Sequence, residues 1–441
     1  MSGVSMIFTR RLVILIILSA VLISLGSLYS FFLYFGILSN LALISVFALD
    51  WMNTPRPSQI SAERSCEGNL SLAARNVVRI RLRNRSEVPL TLEVRDEPPH
   101  QFDISQDAIT LQLPAGSEAT ASFTVVPKRR GNYEFGNINI RYLSTFKLFR
   151  RQMQIPQSMR VKVYPNLLEL KKYVILARRD RFLETGLRHP RLHSAGTEFE
   201  SLRNYLPDDD YRRINWKATA RTGRLISEEY ETIRSQNIII MIDCGRMMAA
   251  TIKDMYKLDY AINSALMLGY VCCVKGDKVG LIAFSDVVET YIPLRGGKQQ
   301  LYRILEALYS IPPKMSQPDY EKAFKLVESK FHKRSLIVVF TDLLDSEISK
   351  TLITYLPLLL PHHLPLCITM KDSDLIGLAG AVPDTIEDVY RKTVADQLLL
   401  EQQSIFDDLR QNGVLVVDAL PENASVATVN QYLKLKGRNL L

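Results

Sequence analysis

Apolar and polar positions divide the 441-residue chain into three textures. From Leu12 to Trp51 nearly every side chain is apolar, and no charge occurs before Asp50. One membrane-crossing helix needs about 20 such residues. The run therefore predicts two short spans, Leu12–Leu28 and Phe31–Leu49, with Gly26, Ser27 and Ser30 marking the turn. A cleaved signal peptide would show a shorter apolar run and a small-residue cleavage site. Arg10 and Arg11 precede the first span, Arg56 and Arg64 follow the second, and the turn has no charge. The positive-inside rule then puts both ends, and the large domains, in the cytoplasm.

Residues 56–165 alternate with a period of two. Val77–Arg83 sets apolar against basic side chains, the mark of a half-buried strand. Leu90–Val94, Ile109–Leu113, Ala121–Val126, Ile138–Tyr142 and Met159–Val163 behave alike, with Pro and Gly between them. Short strands at regular spacing predict a β-sandwich-like domain. From 237 to 441 the pattern becomes strand–helix alternation. Asn237–Asp243, Asp277–Ser285, Ser335–Thr341, Leu364–Met370 and Gly413–Asp418 read as buried strands. Helices are expected near Tyr256–Val274, Lys298–Ser310, Asp319–Lys330, Thr385–Arg410 and Ser425–Leu435, with a loop over 372–384. This alternation predicts a doubly wound α/β domain.

Composition changes little in this picture. Hydrophobic residues make up 47% and charged residues 23%, with a net charge of +9. The positive balance suits an anionic membrane surface. No nucleic-acid partner is expected, because acids are interspersed among the bases. Cys66, Cys244, Cys272, Cys273 and Cys367 are scattered and odd in number, a reduced pattern. Nucleophile-elbow, phosphate-loop and zinc-protease motifs are absent. His189 and His193 are separated by Pro190, and neither they nor His362-His363 have zinc-site company. With no nucleophile–base constellation, the chain is read as no enzyme.

Residues 166–236 mix both charge signs around a recognisable signature. It runs Gly196-Thr197-Glu198-Phe199, Leu202-Arg203-Asn204-Tyr205, Asp208-Asp209-Asp210, Arg212-Arg213-Ile214-Asn215-Trp216-Lys217 and Ala220-Arg221-Thr222-Gly223. This stretch resembles the domain of unknown function 58 family, with Asp208 standing where the family usually has Gly. Arg129–Tyr133, Gly413–Val417 and Tyr432–Lys436 are similar to that family too. The signature residues Glu198, Arg203, Tyr205, Asp209, Asp210, Arg213, Trp216, Lys217 and Arg221 have two readings. Arg203, Arg212, Arg213 and Lys217 grip an acidic partner with Trp216 as anchor, or they pin the segment in place by ion pairs to Asp208–Asp210, Glu198 and Glu200.

The resemblance implies a von Willebrand factor A-like fold for 237–441. Such domains often hold a divalent metal on Asp-x-Ser-x-Ser, a Thr and a later Asp. Here Asp243 is kept, Gly245 and Met247 replace both Ser, Pro318 takes the Thr position, and Asp342 is kept. Two carboxylates would hold Mg2+ or Mn2+ only weakly, and the alternative is that they cap helices or pair with bases. The resemblance also implies a partner, a MoxR-type AAA+ ATPase acting in protein assembly or maturation. The expected organisation is a transmembrane hairpin (1–55), a β-sandwich-like domain (56–165), the signature segment (166–236) and the α/β domain (237–441). The expected role is a membrane-anchored, cytoplasm-facing adaptor. The alternatives are a metal-dependent adhesion protein with its domain outside the cell, and an envelope-assembly scaffold that works without an ATPase.

Overall fold

A computed structural model describes residues 5–25, 27–166, 198–206, 211–231, 235–438 and 440–441. The chain is mixed α/β and divides into two compact units, Met1–Tyr164 and Pro165–Leu441.

In the first unit, helices α1 (Arg10–Leu25) and α2 (Ser30–Asn53) pack on each other. A side chain at Gly36 would meet Ile23 at 2.7 Å, so glycine permits the close approach. The Ser19 hydroxyl donates to Asn40 Oδ1 at 3.2 Å across the pair. One stretch, Phe31–Gln59, is long and apolar enough to cross a membrane by length and composition.

The remainder of this unit is β. A five-stranded sheet contains Phe149–Ile155 between Ser5–Phe8 and Ile138–Leu143, followed by Leu90–Asp96 and Ile109–Leu113. A four-stranded sheet contains Ile60–Cys66, Asn76–Asn84, Glu118–Pro127 and Phe102–Ile104. The alternation of Asn76–Asn84 is real. Val78, Ile80 and Leu82 are buried, and Arg79, Arg81 and Arg83 face solvent. The end of α2 is fixed to the five-stranded sheet. Asp50 Oδ1 accepts the Phe146 amide at 2.7 Å, Tyr142 donates to the Pro55 carbonyl at 2.8 Å, and the Arg151 guanidinium lies 4.5 Å over the Trp51 ring.

The second unit is built on a six-stranded sheet. Its strands are β1 (Asn237–Asp243), β2 (Lys278–Phe284), β3 (Val288–Arg295), β4 (Leu336–Phe340), β5 (Leu364–Met370) and β6 (Leu415–Ala419). Their order is 3-2-1-4-5-6. All pairings are parallel except β2–β3. The continuous apolar runs of β1 and β4 are buried throughout, as strands covered on both faces require.

Helices α3 (Trp216–Thr222), α4 (Lys257–Val274), α5 (Lys298–Leu308), α6 (Tyr320–Lys330), α7 (Ser346–Tyr355), α8 (Ser373–Gly380), α9 (Ile386–Gln411) and α10 (Ala424–Gly437) complete the unit. Three of these, α3, α7 and α8, were not expected. The segment 372–384 is not a plain loop but contains α8, because the Asp372 carboxylate caps it by accepting the amides of Asp374 and Leu375 at 3.1 and 3.2 Å. Helix α7 is capped in the same way by Asp345.

The C-terminal helix is locked to the base of the sheet by a buried ion pair. Asp277 is fully buried just before β2. Both its oxygens accept from Lys436 Nζ at 2.7 Å, and it also accepts the Tyr432 hydroxyl and the Gln236 amide. Replacing Lys436 with Met leaves that carboxylate without its cation. The expected loss of unfolding free energy is about 2–4 kcal/mol, and Tyr432→Phe should lose only about 1 kcal/mol. Chemical denaturation of the three proteins measures both.

Candidate functional site

A parallel sheet with order 3-2-1-4-5-6 reverses direction between β1 and β4, and ligands of open α/β sheets bind beyond the strand ends at such a point. Asp243 ends β1, and Thr341-Asp342 follows β4, so both expected acids lie there. Ile242 pairs with Phe340, which brings Asp243 beside Thr341.

Asp243 is 1% exposed, and its oxygens are occupied from within. Oδ1 accepts the Gly245 amide at 2.7 Å. Oδ2 accepts Thr341 Oγ1 at 2.8 Å and the Tyr320 hydroxyl at 3.1 Å. Tyr320 and Thr341 are themselves 2.7 Å apart. Burial pushes the Asp243 carboxyl up to about 6, with the nearby Asp342 charge adding to the rise, while these hydrogen bonds oppose it. Burial also pushes Tyr320 well above the ordinary phenol range.

Asp342 faces a different group. Its Oδ2 accepts from Lys257 Nζ at 2.6 Å, and the same ammonium lies 3.3 Å from Asp372 Oδ2. The side chains of Lys257 and Asp342 are 1% and 2% exposed. Burial raises the Asp342 carboxyl, and Lys257 works against that rise. Lys257 opens α4, Asp342 follows β4 and Asp372 caps α8, so one cation ties three elements together.

The loops around these acids are closed on each other. Arg246 N donates to Ser316 O at 2.9 Å, and Lys314 N donates to Cys244 O at 2.7 Å. A Cβ on Gly245 would stand 2.8 Å from the Pro318 ring and 3.0 Å from Asp243 Oδ1. Gly245 is therefore glycine for lack of space. Further out, exposed ion pairs ring the strand ends: Arg246–Asp345, Lys314–Glu289, Lys322–Asp319 and Lys253–Glu422. Ser285 Oγ lies within this ring, 2.8 Å from both Asp286 Oδ1 and Glu289 Oε1. No group of three or more His, Cys, Asp or Glu side chains gathers into a metal site among the described residues.

The signature segment forms a separate feature. Glu198–Asn204 pairs with Ile226–Glu231, and α3 lies between them. Asn215 shapes it: its carbonyl oxygen caps α3 at the Ala218 amide (2.8 Å), and its amide donates to Glu228 at 2.6 Å. Gly223 ends α3 in the left-handed region at φ 65°. Trp216, Lys217 and Arg221 are exposed, whereas Arg203 and Tyr205 are half-buried. The Arg213 and Glu198 side chains and all of Asp209 and Asp210 lie outside the described residues. The cap by Asn215, the hydroxyl of Tyr320 and the ammonium of Lys257 were not expected from the sequence. Asn215 alone left a signal, a polar residue directly before a helical stretch.

The sign of the Asp243 effect is testable. Its carboxyl rises from an ordinary 3.8 to about 6 on folding. Between those values the unfolded chain ionises first, so this group's contribution is full below pH 4 and is lost as pH rises through 6. The loss totals roughly 2–3 kcal/mol. In Asp243→Asn that component is gone. The unfolding free energy of the variant relative to wild type should therefore climb by that amount between pH 4 and pH 7, measured by urea denaturation across the range.

Comparison with known proteins places residues 201–358 in a match to the family described as protein of unknown function DUF58. The uncharacterized protein YeaD of Bacillus subtilis is 24% identical over 248 residues, 54% of this chain and 61% of that protein. An uncharacterized protein of Mycobacterium tuberculosis is 24% identical over 151 residues, 34% of this chain and 48% of that one. The chain thus spans about half the length of the curated relatives it matches. Among solved structures, the CARDB domain of PF1109 from Pyrococcus furiosus is 15% identical over 25% of this chain and 94% of that one, with a TM-score of 0.17. Activated alpha-2-macroglobulin of Escherichia coli gives 14% identity, 24% of this chain, 9% of that one and a TM-score of 0.19. Scores this low leave the fold to the strand pairings themselves. The matched family segment takes in the signature from Leu202 onward together with Asp243 and Asp342.

Proposed function

We propose that this protein is a membrane-anchored, non-catalytic interaction module whose von Willebrand factor A-like domain docks a protein partner. The observation that carries the proposal is an unpartnered apolar stripe on α9. The C-terminal half of this helix buries Gln402, Ile405, Phe406 and Leu409. Its N-terminal half instead exposes Ile386 (78%), Val389, Tyr390 (71%) and Val394, and Leu400 (72%) just past the middle extends the stripe. These positions recur at helical spacing along one face. Surface apolar residues grouped this way mark an interaction site.

The charge around the stripe defines the partner's chemistry. Between Asp372 and Glu401 acids greatly outnumber bases, Arg391 and Lys392 being the bases, although the chain as a whole carries +9. An apolar groove rimmed by Lys and Arg fits such a surface. The resemblance in the signature supplies the partner's class, a MoxR-type AAA+ ATPase acting in assembly or maturation of other proteins. The occupied oxygens of Asp243 and the ion-paired Asp342 favour a binding role over catalysis.

Two membrane passes are supported by connectivity. Ser5–Phe8, before α1, and Ile60–Cys66, after α2, both belong to the β unit. A single crossing by α2 would separate them, which favours a return pass by α1. At 16 residues α1 is about 24 Å long, short of a typical hydrocarbon core, and local thinning of the bilayer accommodates it. Exposed Arg10, Arg11, Arg56, Lys147 and Arg150 lie around the helix exits, which favours a cytoplasmic β unit.

Affinity capture from native membranes in mild detergent with ATP and magnesium tests the partner. An AAA+ ATPase should be recovered with wild type and reduced at least tenfold with Tyr390→Asp, whose melting temperature should stay unchanged because Tyr390 is exposed. Equal recovery with both would remove α9 from the interface. Topology is tested separately by protease added to sealed inverted vesicles, which should digest both large units. Full protection would overturn the cytoplasmic orientation.

A further inference from the structure

We infer that Lys257 is the resident cation of the Asp342 site, a tethered ammonium standing where related folds place a divalent metal. The inference concerns this chain's own residues and does not depend on the partner proposed above.

Three observations converge on it. Lys257 Nζ sits between two carboxylates, 2.6 Å from Asp342 and 3.3 Å from Asp372, with its side chain 1% exposed. A buried ammonium is stable only when so paired, and it has three donors to distribute. Asp243, the other expected metal ligand, spends its oxygens on Gly245, Thr341 and Tyr320. A magnesium ion needs several oxygen ligands in near-octahedral array, and ligation here would require breaking those bonds. Finally, none of the three positions where a hydroxyl ligand would be needed, Gly245, Met247 and Pro318, has a side-chain oxygen, and two of them are sealed against each other. Gly245 has no room for a Cβ, because the Pro318 ring stands 2.8 Å from that point.

The substitutions are mutually consistent. Two of the three hydroxyl positions are closed by Gly245 and Pro318, and the positive charge that Asp342 requires comes from α4. A divalent ion offers a partner an open coordination position. Lys257, buried beneath the strand ends, offers none.

The test is thermal melting and elemental analysis of the full chain in detergent, with EDTA or with millimolar Mg2+ or Mn2+. Wild type should melt at one temperature in all three and carry no stoichiometric divalent ion. Lys257→Ala, which leaves Asp342 and Asp372 without a cation, should melt several degrees lower in EDTA and recover at least half the drop with Mn2+. A bound ion in wild type, with a melting temperature lowered by EDTA, would overturn the inference. So would a Lys257→Ala protein that melts like wild type in EDTA, or one that stays destabilised with Mn2+. Should that variant fail to fold, the wild-type measurement decides alone.

Discussion

Burying carboxylates at the ends of parallel strands is the constraint on which the α/β unit depends. Each one carries a desolvation cost that must be offset by a partner within hydrogen-bond reach. The chain meets this three times with three devices. Asp243 takes donors from Gly245, Thr341 and Tyr320, and retains a raised pKa. Asp342 takes the ammonium of Lys257. At the opposite end, Asp277 takes Lys436 and Tyr432. Each device also joins elements far apart in sequence: β1 to α6, α4 to β4 and α8, and α10 to the start of β2. Packing of Ile240, Leu268, Val338 and Tyr432 then fills the space that these ties enclose.

The same ties shape what the surface offers. At the switch point between β1 and β4, both oxygens of Asp243 and Oδ2 of Asp342 are engaged from within, and only Oδ1 of Asp342 is buried without a partner. Charge reaches solvent through Arg246, Lys314, Lys322 and their acids. The apolar surface is displaced to the first half of α9, beyond where Gln402 and Ile405 anchor the helix.

Much of the fold was legible in the sequence. Asn237–Asp243 and Leu364–Met370 were bounded to the residue, since short, nearly continuous apolar runs admit few readings. Asp243 and Asp342 were placed at strand ends by Asn237–Asp243 and Ser335–Thr341, and the pairing of those strands makes the two ends adjacent. Local signals failed where the deciding contact is distant. Lys257 reads as a solvated lysine in a first helical turn, and its partner Asp342 is reached only through the sheet. Gly245 reads as a lost ligand, and only contact with Pro318 shows that it is a steric requirement. Helix α8 was missed because Gly377 and Pro383 signal a loop more loudly than the Asp372 cap signals a helix.

Site-directed photo-crosslinking in native membranes probes the docking role most directly. A photoreactive residue would be placed at 390 on α9, and in a second protein at 328, near the far end of α6. Docking through α9 predicts an adduct with an AAA+ ATPase from position 390 and none from position 328. Adducts of equal yield from both positions, or no protein adduct at 390, would contradict it.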